Sequence, residues 1–192
     1  MIELLNATIE REVTSERLAS ALEKHGEGLP PDRLKDLAAL LERFLRSVPK
    51  AIAVALLATK DEKCGRAVAL ATGQILNYVF DEDDLLPERT FGILGLLDDA
   101  YLVHVYVGTL SRMYPHLDTS GAGYEPPDQR AFSVVRAFLP AGVADALVRT
   151  CDGLLQVASA LFGSGGQGGS PAETSPAVRV TEALQAMSGS CA

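Results

Sequence analysis

The fold class follows from one stretch of the sequence, Leu34-Lys35-Asp36-Leu37-Ala38-Ala39-Leu40-Leu41-Glu42-Arg43-Phe44-Leu45. Its bulky apolar residues recur every three or four positions, and they are Leu34, Leu37, Leu40, Leu41, Phe44 and Leu45. Because an α-helix turns once in about 3.6 residues, this spacing places them along one face, with charged residues between them. The stretch predicts an amphipathic helix that covers an apolar core.

Similar spacing on both sides of this stretch predicts an all-α fold, a compact multi-helix bundle formed by a single domain over residues 1–162. The predicted helices start at Ile2 with a break near Thr14, start after Pro31 and end or bend at Pro49, and then cover 51–57, 64–80, 91–113, 129–138 and 143–162. Val103, Val105 and Val107 alternate as in a strand. We favour a helix there because the rest of the sequence offers no partner strand.

The composition changes after residue 162. Residues 163–176 are rich in Gly, Ser and Pro, which is typical of a flexible linker because so little of the segment can be buried. In the tail, 177–192, a short amphipathic helix over 177–187 is too short to be stable alone. We expect this part of the tail to be either disordered or docked on the domain.

The net charge indicates which classes of partner to expect, and the cysteines indicate the redox compartment. The chain of 192 residues has a formal net charge of −8, which repels phosphate backbones and anionic lipids, so we expect no nucleic-acid binding. Cationic partners or metal ions are more plausible. Cys64, Cys151 and Cys191 lack CxxC spacing and no secretory h-region follows Met1, which favours a reducing cytoplasm. Within helical patterns, Cys64 and Cys151 are expected to be buried thiols.

The most apolar segment is 91–110, which has the length of a transmembrane span. It carries Asp98, Asp99 and His104 near its middle, where each Asp would cost about 2.5–3.5 kcal/mol on an insertion scale. We therefore predict a buried helix of a soluble bundle rather than a membrane span.

An acidic stretch is the most distinctive feature of the sequence. It reads Asn77-Tyr78-Val79-Phe80-Asp81-Glu82-Asp83-Asp84-Leu85-Leu86-Pro87-Glu88, followed by Gly92-Ile93-Leu94-Gly95-Leu96-Leu97-Asp98-Asp99-Ala100-Tyr101-Leu102-Val103. The pattern is an acid, two apolar residues, Pro and an acid, and then Gly and a pair of Asp residues.

This pattern resembles the YkvA-like family, a small helical domain of unknown function found mainly in bacteria. The matching positions are Tyr78, Asp84, Leu85, Leu86, Pro87, Glu88, Gly95, Asp98 and Asp99. The resemblance covers residues 54–106, about a quarter of the chain. It implies a helical domain and names no activity. The chain departs from the family at Glu82 and Asp83, where the family usually has Pro and an aliphatic residue, and at Glu88, where it has Asp.

The acidic residues leave three interpretations open, because like charges repel unless something relieves them. The carboxylates can be structural, with Asp84 as a cap and Asp98 or Asp99 accepting hydrogen bonds. Alternatively, Asp84, Glu88, Asp98 and Asp99 converge on Mg²⁺ or Ca²⁺, which prefer carboxylate oxygen. Thirdly, they form a solvated acidic face for a basic partner. We favour the structural interpretation.

The three histidines offer no metal motif at this level. His104 follows Asp99 by five residues, which is not a helical neighbour spacing, and it is expected in the core or an interface. His116, beside Asp118 in a loop, and His25, in a turn, are expected to be solvated.

The sequence also lacks the common signatures of nucleotide-binding proteins, zinc proteases and serine hydrolases. It therefore favours a non-catalytic interaction or oligomerisation module, without a cofactor, over an enzyme. The alternative is a metal-binding protein or metal-dependent enzyme built on residues 81–99. A membrane-associated role comes third, because the chain has no basic amphipathic face.

Overall fold

The computed structural model describes residues 2–25, 30–80, 92–118 and 123–162. These residues are 82% helical and include no strand, which confirms the predicted all-α bundle and the helix around Val103, Val105 and Val107. The predicted linker at 163–176 and the tail at 177–192 lie outside the described residues.

The described part of the chain contains eight α-helices and one 3₁₀ helix. In chain order they are α1 (Ile2–Glu12), α2 (Ser15–His25), α3 (Pro31–Arg46), α4 (Val48–Ala58), α5 (Gly65–Val79), the 3₁₀ helix (Gly92–Gly95), α6 (Leu96–Met113), α7 (Gln129–Phe138) and α8 (Val143–Phe162). The break predicted near Thr14 separates α1 from α2.

Local signals account for several of these boundaries. Pro31 occupies the first turn of α3, where its missing N–H costs nothing. The Asp128 side chain accepts a hydrogen bond from the Ala131 N–H at 2.7 Å and caps α7. Gly142 precedes α8 with a φ of 82°, a conformation that favours glycine.

The prediction for Pro49 was wrong in its detail. The residue neither ends nor bends α3, which already ends at Arg46, but lies in the first turn of α4. A proline is tolerated there because the first N–H groups of a helix have no partner within it. Ser47 is the single residue between the two helices, and its hydroxyl donates to the Phe44 carbonyl at 2.8 Å.

Helix α6 forms the centre of the core. It packs against α3, α4, α5, α7 and α8, and its buried apolar side chains are Leu97, Ala100, Tyr101, Leu102, Val103, Tyr106, Val107 and Leu110. Each neighbouring helix contributes apolar residues to the same cluster. Removal of this apolar surface from water is the main stabilising term.

Among the described residues, the segment Gly92–Met113 is long and apolar enough to cross a membrane by length and composition. Within it, 78% of the apolar window is buried inside the fold, as in the core helix of a soluble protein. Helices α7 and α8 meet the criterion together only as a pair bent by 118°. The apolar composition of α6 is thus accounted for by its central position.

Gly65, at the start of α5, permits a close backbone contact. A Cβ atom at this position would lie 2.4 Å from the Thr59 carbonyl oxygen, which belongs to the backbone and cannot rotate away. The structure assigns this close contact to Gly65. Among the other small residues of α5, Ala67 and Ala71 are buried, whereas Ala69 and Gly73 are exposed.

We predict that Gly65→Ala destabilises the protein by about 1–3 kcal/mol, because the added methyl group forces the α4–α5 turn apart. Gly73→Ala is the matched control in the same helix. A Cβ there would meet nothing within 4 Å, so this change should stabilise the helix by up to about 1 kcal/mol. Urea denaturation measures both, and equal effects of the two substitutions would contradict the assignment.

Candidate functional sites

The first candidate site contains the two aspartates predicted as metal ligands. Asp98 and Asp99 lie in the first turn of α6, and these residues are 0% and 5% exposed. The Tyr78 hydroxyl donates a hydrogen bond of 2.9 Å to Asp98 Oδ2. The other two predicted ligands, Asp84 and Glu88, lie outside the described residues. Their convergence with Asp98 and Asp99 therefore stays a prediction.

Two physical terms favour a structural role for these aspartates. Burial of a carboxylate costs free energy unless hydrogen bonds replace its water, and the Tyr78 hydroxyl supplies one such bond. The N-terminal turn of a helix also carries a partial positive charge, which favours a carboxylate. The Tyr78–Asp98 bond joins the end of α5 to the start of α6.

The second candidate site was not predicted. Asp61 and Cys64 lie in the turn before α5, and His116 lies in the turn after α6. Asp61 Oδ1 is 3.3 Å from Cys64 Sγ and 3.3 Å from His116 Nε2. It also accepts backbone N–H bonds from Lys63 at 2.9 Å and from Cys64 at 3.0 Å. The carboxylate thus caps the turn that leads into α5 and faces two further donor side chains.

Within this Asp61–Cys64–His116 cluster, the pKa of the carboxyl group and the pKa of the thiol shift in opposite directions. Hydrogen bonds from the backbone and side chain of Cys64 hold the pKa of the Asp61 carboxyl well below its usual range. Burial, together with the Asp61 charge, raises the pKa of the Cys64 thiol to about 12. The thiol is therefore protonated at neutral pH and is no nucleophile, in line with the burial that we predicted. His116 is 39% exposed, as expected of a solvated histidine, and its Nε2 in addition lies 3.3 Å from Asp61 Oδ1.

A third polar site surrounds His104, which is 1% exposed and confirms the predicted core histidine. Its Nε2 lies 3.0 Å from the Phe44 carbonyl, and its Nδ1 lies 2.9 Å from the Tyr124 hydroxyl. A carbonyl only accepts, so Nε2 carries the proton and Nδ1 accepts from Tyr124. Burial lowers the pKa of His104 to about 4, which keeps the ring neutral. These contacts describe a core network that joins α3, α6 and the segment before α7.

A groove on the surface is the fourth feature. Its floor and walls come from α3 and the start of α4 on one side and from residues 123–134 on the other. It consists of two adjoining cavities of about 450 and 540 Å³, both lined by Leu40. We call this feature the α3–α7 groove. No pattern in the sequence indicated it, because its two walls are about 90 residues apart and meet only in the folded chain.

We predict that the Asp98 carboxylate is structural. Asp98→Asn weakens the charge-assisted bond from Tyr78 and should cost about 1–3 kcal/mol in the metal-free protein. Tyr78→Phe should have a comparable effect, and the double substitution should cost less than the sum of the two because they share one bond. Millimolar Mg²⁺ or Ca²⁺ should leave the melting temperature unchanged.

The metal interpretation gives the opposite pattern. An ion present at 100 times its dissociation constant would add about 2.7 kcal/mol of stability. A rise in melting temperature that is lost in Asp98→Asn, with unchanged metal-free stability, would show that the aspartates bind metal.

His104 predicts a pH dependence of stability. Its pKa is about 4 in the folded protein and about 6.5 in an unfolded chain. Between these two pH values the unfolded state binds more protons than the folded state. The contribution of the neutral His104 ring to the free energy of unfolding is therefore complete above pH 6.5 and is lost as the pH falls towards 4. We expect a loss of about 2 kcal/mol between pH 7.5 and pH 5.

Urea denaturation at the two pH values tests this expectation, with His104→Gln as the control. The substitution removes the titrating group, so the variant should lose less stability over the same interval even if it is less stable overall. Equal pH dependence in both proteins would show that carboxylates alone cause it.

Comparisons with known proteins do not extend this description. No protein-family model matches the chain, and searches of curated proteins and of solved structures find no match. The resemblance to the YkvA-like family therefore stays a prediction drawn from the residues of the acidic stretch.

Proposed function

We propose that this protein is a non-catalytic interaction module, and that its α3–α7 groove binds an acidic, amphipathic segment of a partner protein. The observation that carries the proposal is a groove with an apolar floor and a predominantly cationic rim, on a chain whose net charge is −8. The apolar floor favours binding of apolar side chains, and the rim determines which charges can flank them.

The floor offers apolar surface that the fold leaves partly accessible. Leu37 and Val134 are half-buried and line the groove together with Leu40, which belongs to the core cluster. When a partner covers apolar surface of this kind, the complex is stabilised by about 25 cal/mol for each Å² removed from water. A groove between two helices is a common site for an amphipathic peptide.

The rim carries an excess of positive charge. Four exposed cationic side chains line the groove and form no ion pair within the described part of the chain, namely Arg33, Arg43, Lys50 and Arg130. Arg46 also lines it but is paired with Glu42 at 2.8 Å. The acidic residues of the lining are Asp36, Glu125 and Asp128, of which Asp128 is engaged as the cap of α7.

This charge distribution selects the occupant. A segment with Asp or Glu on both sides of its apolar residues would place its charges against the arginines and Lys50 and its apolar side chains on the floor. A basic segment would meet like charges. Because the protein as a whole is acidic, a second copy of this chain is the alternative occupant of the groove. The test below distinguishes it from a partner protein.

The proposal predicts which peptides the full-length protein selects from a random peptide library. The enriched sequences should carry acidic residues around an apolar core, and a labelled peptide of that kind should bind more weakly as NaCl rises. Arg43→Glu combined with Arg130→Glu should weaken its binding about tenfold, which corresponds to about 1.4 kcal/mol for two reversed rim charges. Fluorescence anisotropy measures the affinity.

The matched control makes the same change of charge away from the groove. Arg66 on α5 and Arg149 on α8 are exposed and form no ion pair among the described residues, so Arg66→Glu with Arg149→Glu should leave the affinity nearly unchanged. Equal weakening by both double variants, or selection of non-acidic peptides, would contradict the proposal. A concentration-dependent dimer that only the groove variant dissociates would identify a second copy as the occupant instead.

A further inference from the structure

We propose that Asp61, Cys64 and His116 form a binding site for a divalent cation of intermediate softness, of which Zn²⁺ is the representative. None of the three residues lines the α3–α7 groove, so this site is independent of the proposed partner. It is also distinct from the acidic set of Asp84, Glu88, Asp98 and Asp99.

The geometry of the cluster fits a tetrahedral ion. Its three donor atoms, a carboxylate oxygen, a thiol sulfur and an imidazole nitrogen, all lie within 4.8 Å of one another. Tetrahedral bonds of about 2.0–2.3 Å place neighbouring ligand atoms about 3.3–3.8 Å apart. The distances from Asp61 Oδ1 to Cys64 Sγ and to His116 Nε2 are both 3.3 Å. Rotation of the partly exposed His116 side chain can adjust the third distance, from Cys64 Sγ to the imidazole nitrogen.

Two separate parts of the fold supply the donors. Asp61 and Cys64 are three residues apart in the turn before α5, whereas His116 comes from a turn 55 residues from Asp61. The turn before α5 explains the position of Asp61, since its carboxylate oxygen accepts the Lys63 and Cys64 N–H groups. These backbone bonds do not explain why a thiol and an imidazole both approach the same carboxylate oxygen.

The types of donor determine the class of ion. Sulfur and imidazole nitrogen are ligands of Zn²⁺ and similar transition metals, whereas Mg²⁺ and Ca²⁺ require oxygen. Binding breaks the Cys64 S–H bond and forms a bond between the sulfur and the ion, and the proton goes to solvent. The backbone N–H bonds to Asp61 orient the carboxylate, as outer-shell contacts do in metal sites.

The burial of the cluster leaves one side open. Cys64 is 6% exposed, whereas the His116 side chain is 39% exposed. Solvent can therefore reach the ion from the His116 side and supply a fourth ligand as water. Three protein ligands and one open position are the coordination of an accessible zinc site rather than of a closed structural one.

Titration of the full-length, EDTA-treated and reduced protein with Co²⁺ tests the site. Co²⁺ replaces Zn²⁺ in such sites and absorbs visible light in tetrahedral coordination, with a near-ultraviolet band when a thiolate is bound. We expect one equivalent to bind with both features, Zn²⁺ to displace it, and millimolar Mg²⁺ to leave it in place. Cys64→Ser should abolish the thiolate band, and Cys151→Ser is the matched control, because Cys151 is a buried thiol outside the cluster.

Two further variants test the site if the Cys64→Ser protein does not fold. His116→Ala alters a partly exposed turn residue, and Asp61→Asn keeps an oxygen that can accept the Lys63 and Cys64 N–H groups. Both variants should therefore fold and bind Co²⁺ at least tenfold more weakly. Absence of stoichiometric Co²⁺ binding in the full chain would overturn the proposal. A thiolate band that persists in Cys64→Ser, or an affinity unchanged in His116→Ala, would overturn it as well.

Discussion

The central constraint on this fold is that α6 is surrounded by other helices and yet carries polar side chains. Each buried polar group must find a hydrogen-bond partner on a neighbour. Tyr106 shares a bond of 2.8 Å with Thr72 of α5, and Thr109 donates to Asp152 of α8 at 3.4 Å. Together with the bonds of Asp98 to α5 and of His104 to α3, these contacts set the positions of α3, α5 and α8 along α6. Apolar packing alone specifies such positions less sharply.

The α3–α7 groove and the Asp61–Cys64–His116 cluster depend on this arrangement in different ways. The ring of Phe44 in α3 makes T-shaped contacts with the rings of His104 and of Phe132 in α7, with centroid distances of 4.6 Å and 5.6 Å. The aromatic contacts therefore fix the distance between the two walls of the α3–α7 groove. His116 follows the end of α6, so the helix also determines where this imidazole meets the turn before α5. Both sites combine residues that are distant in the sequence.

The sequence predicted what depends on local chemistry. The α7 and α8 boundaries agree with the structure because Asp128, Pro140 and Gly142 act on their immediate neighbours. The core position of His104 is one of the two that were expected, core or interface, because its spacing of five residues from Asp99 gives no helical metal motif. Neither the groove nor the Asp61–Cys64–His116 cluster could be predicted, because no helical period or motif spacing relates residues 55 positions apart. The role of Pro49 was misjudged since a proline suits the start of a helix as well as its end.

The Phe44 carbonyl shows how the core can decide where a helix ends. This carbonyl lies in the last turn of α3 and accepts from the Ser47 hydroxyl and from His104 Nε2. The imidazole comes from a residue 60 positions away, so part of the α3 terminus is specified by a contact that exists only after the helices have packed. The corner between α3 and α4 is therefore completed only when α6 packs against it, and a peptide that contained only these two helices would lack one of the groups that hold it.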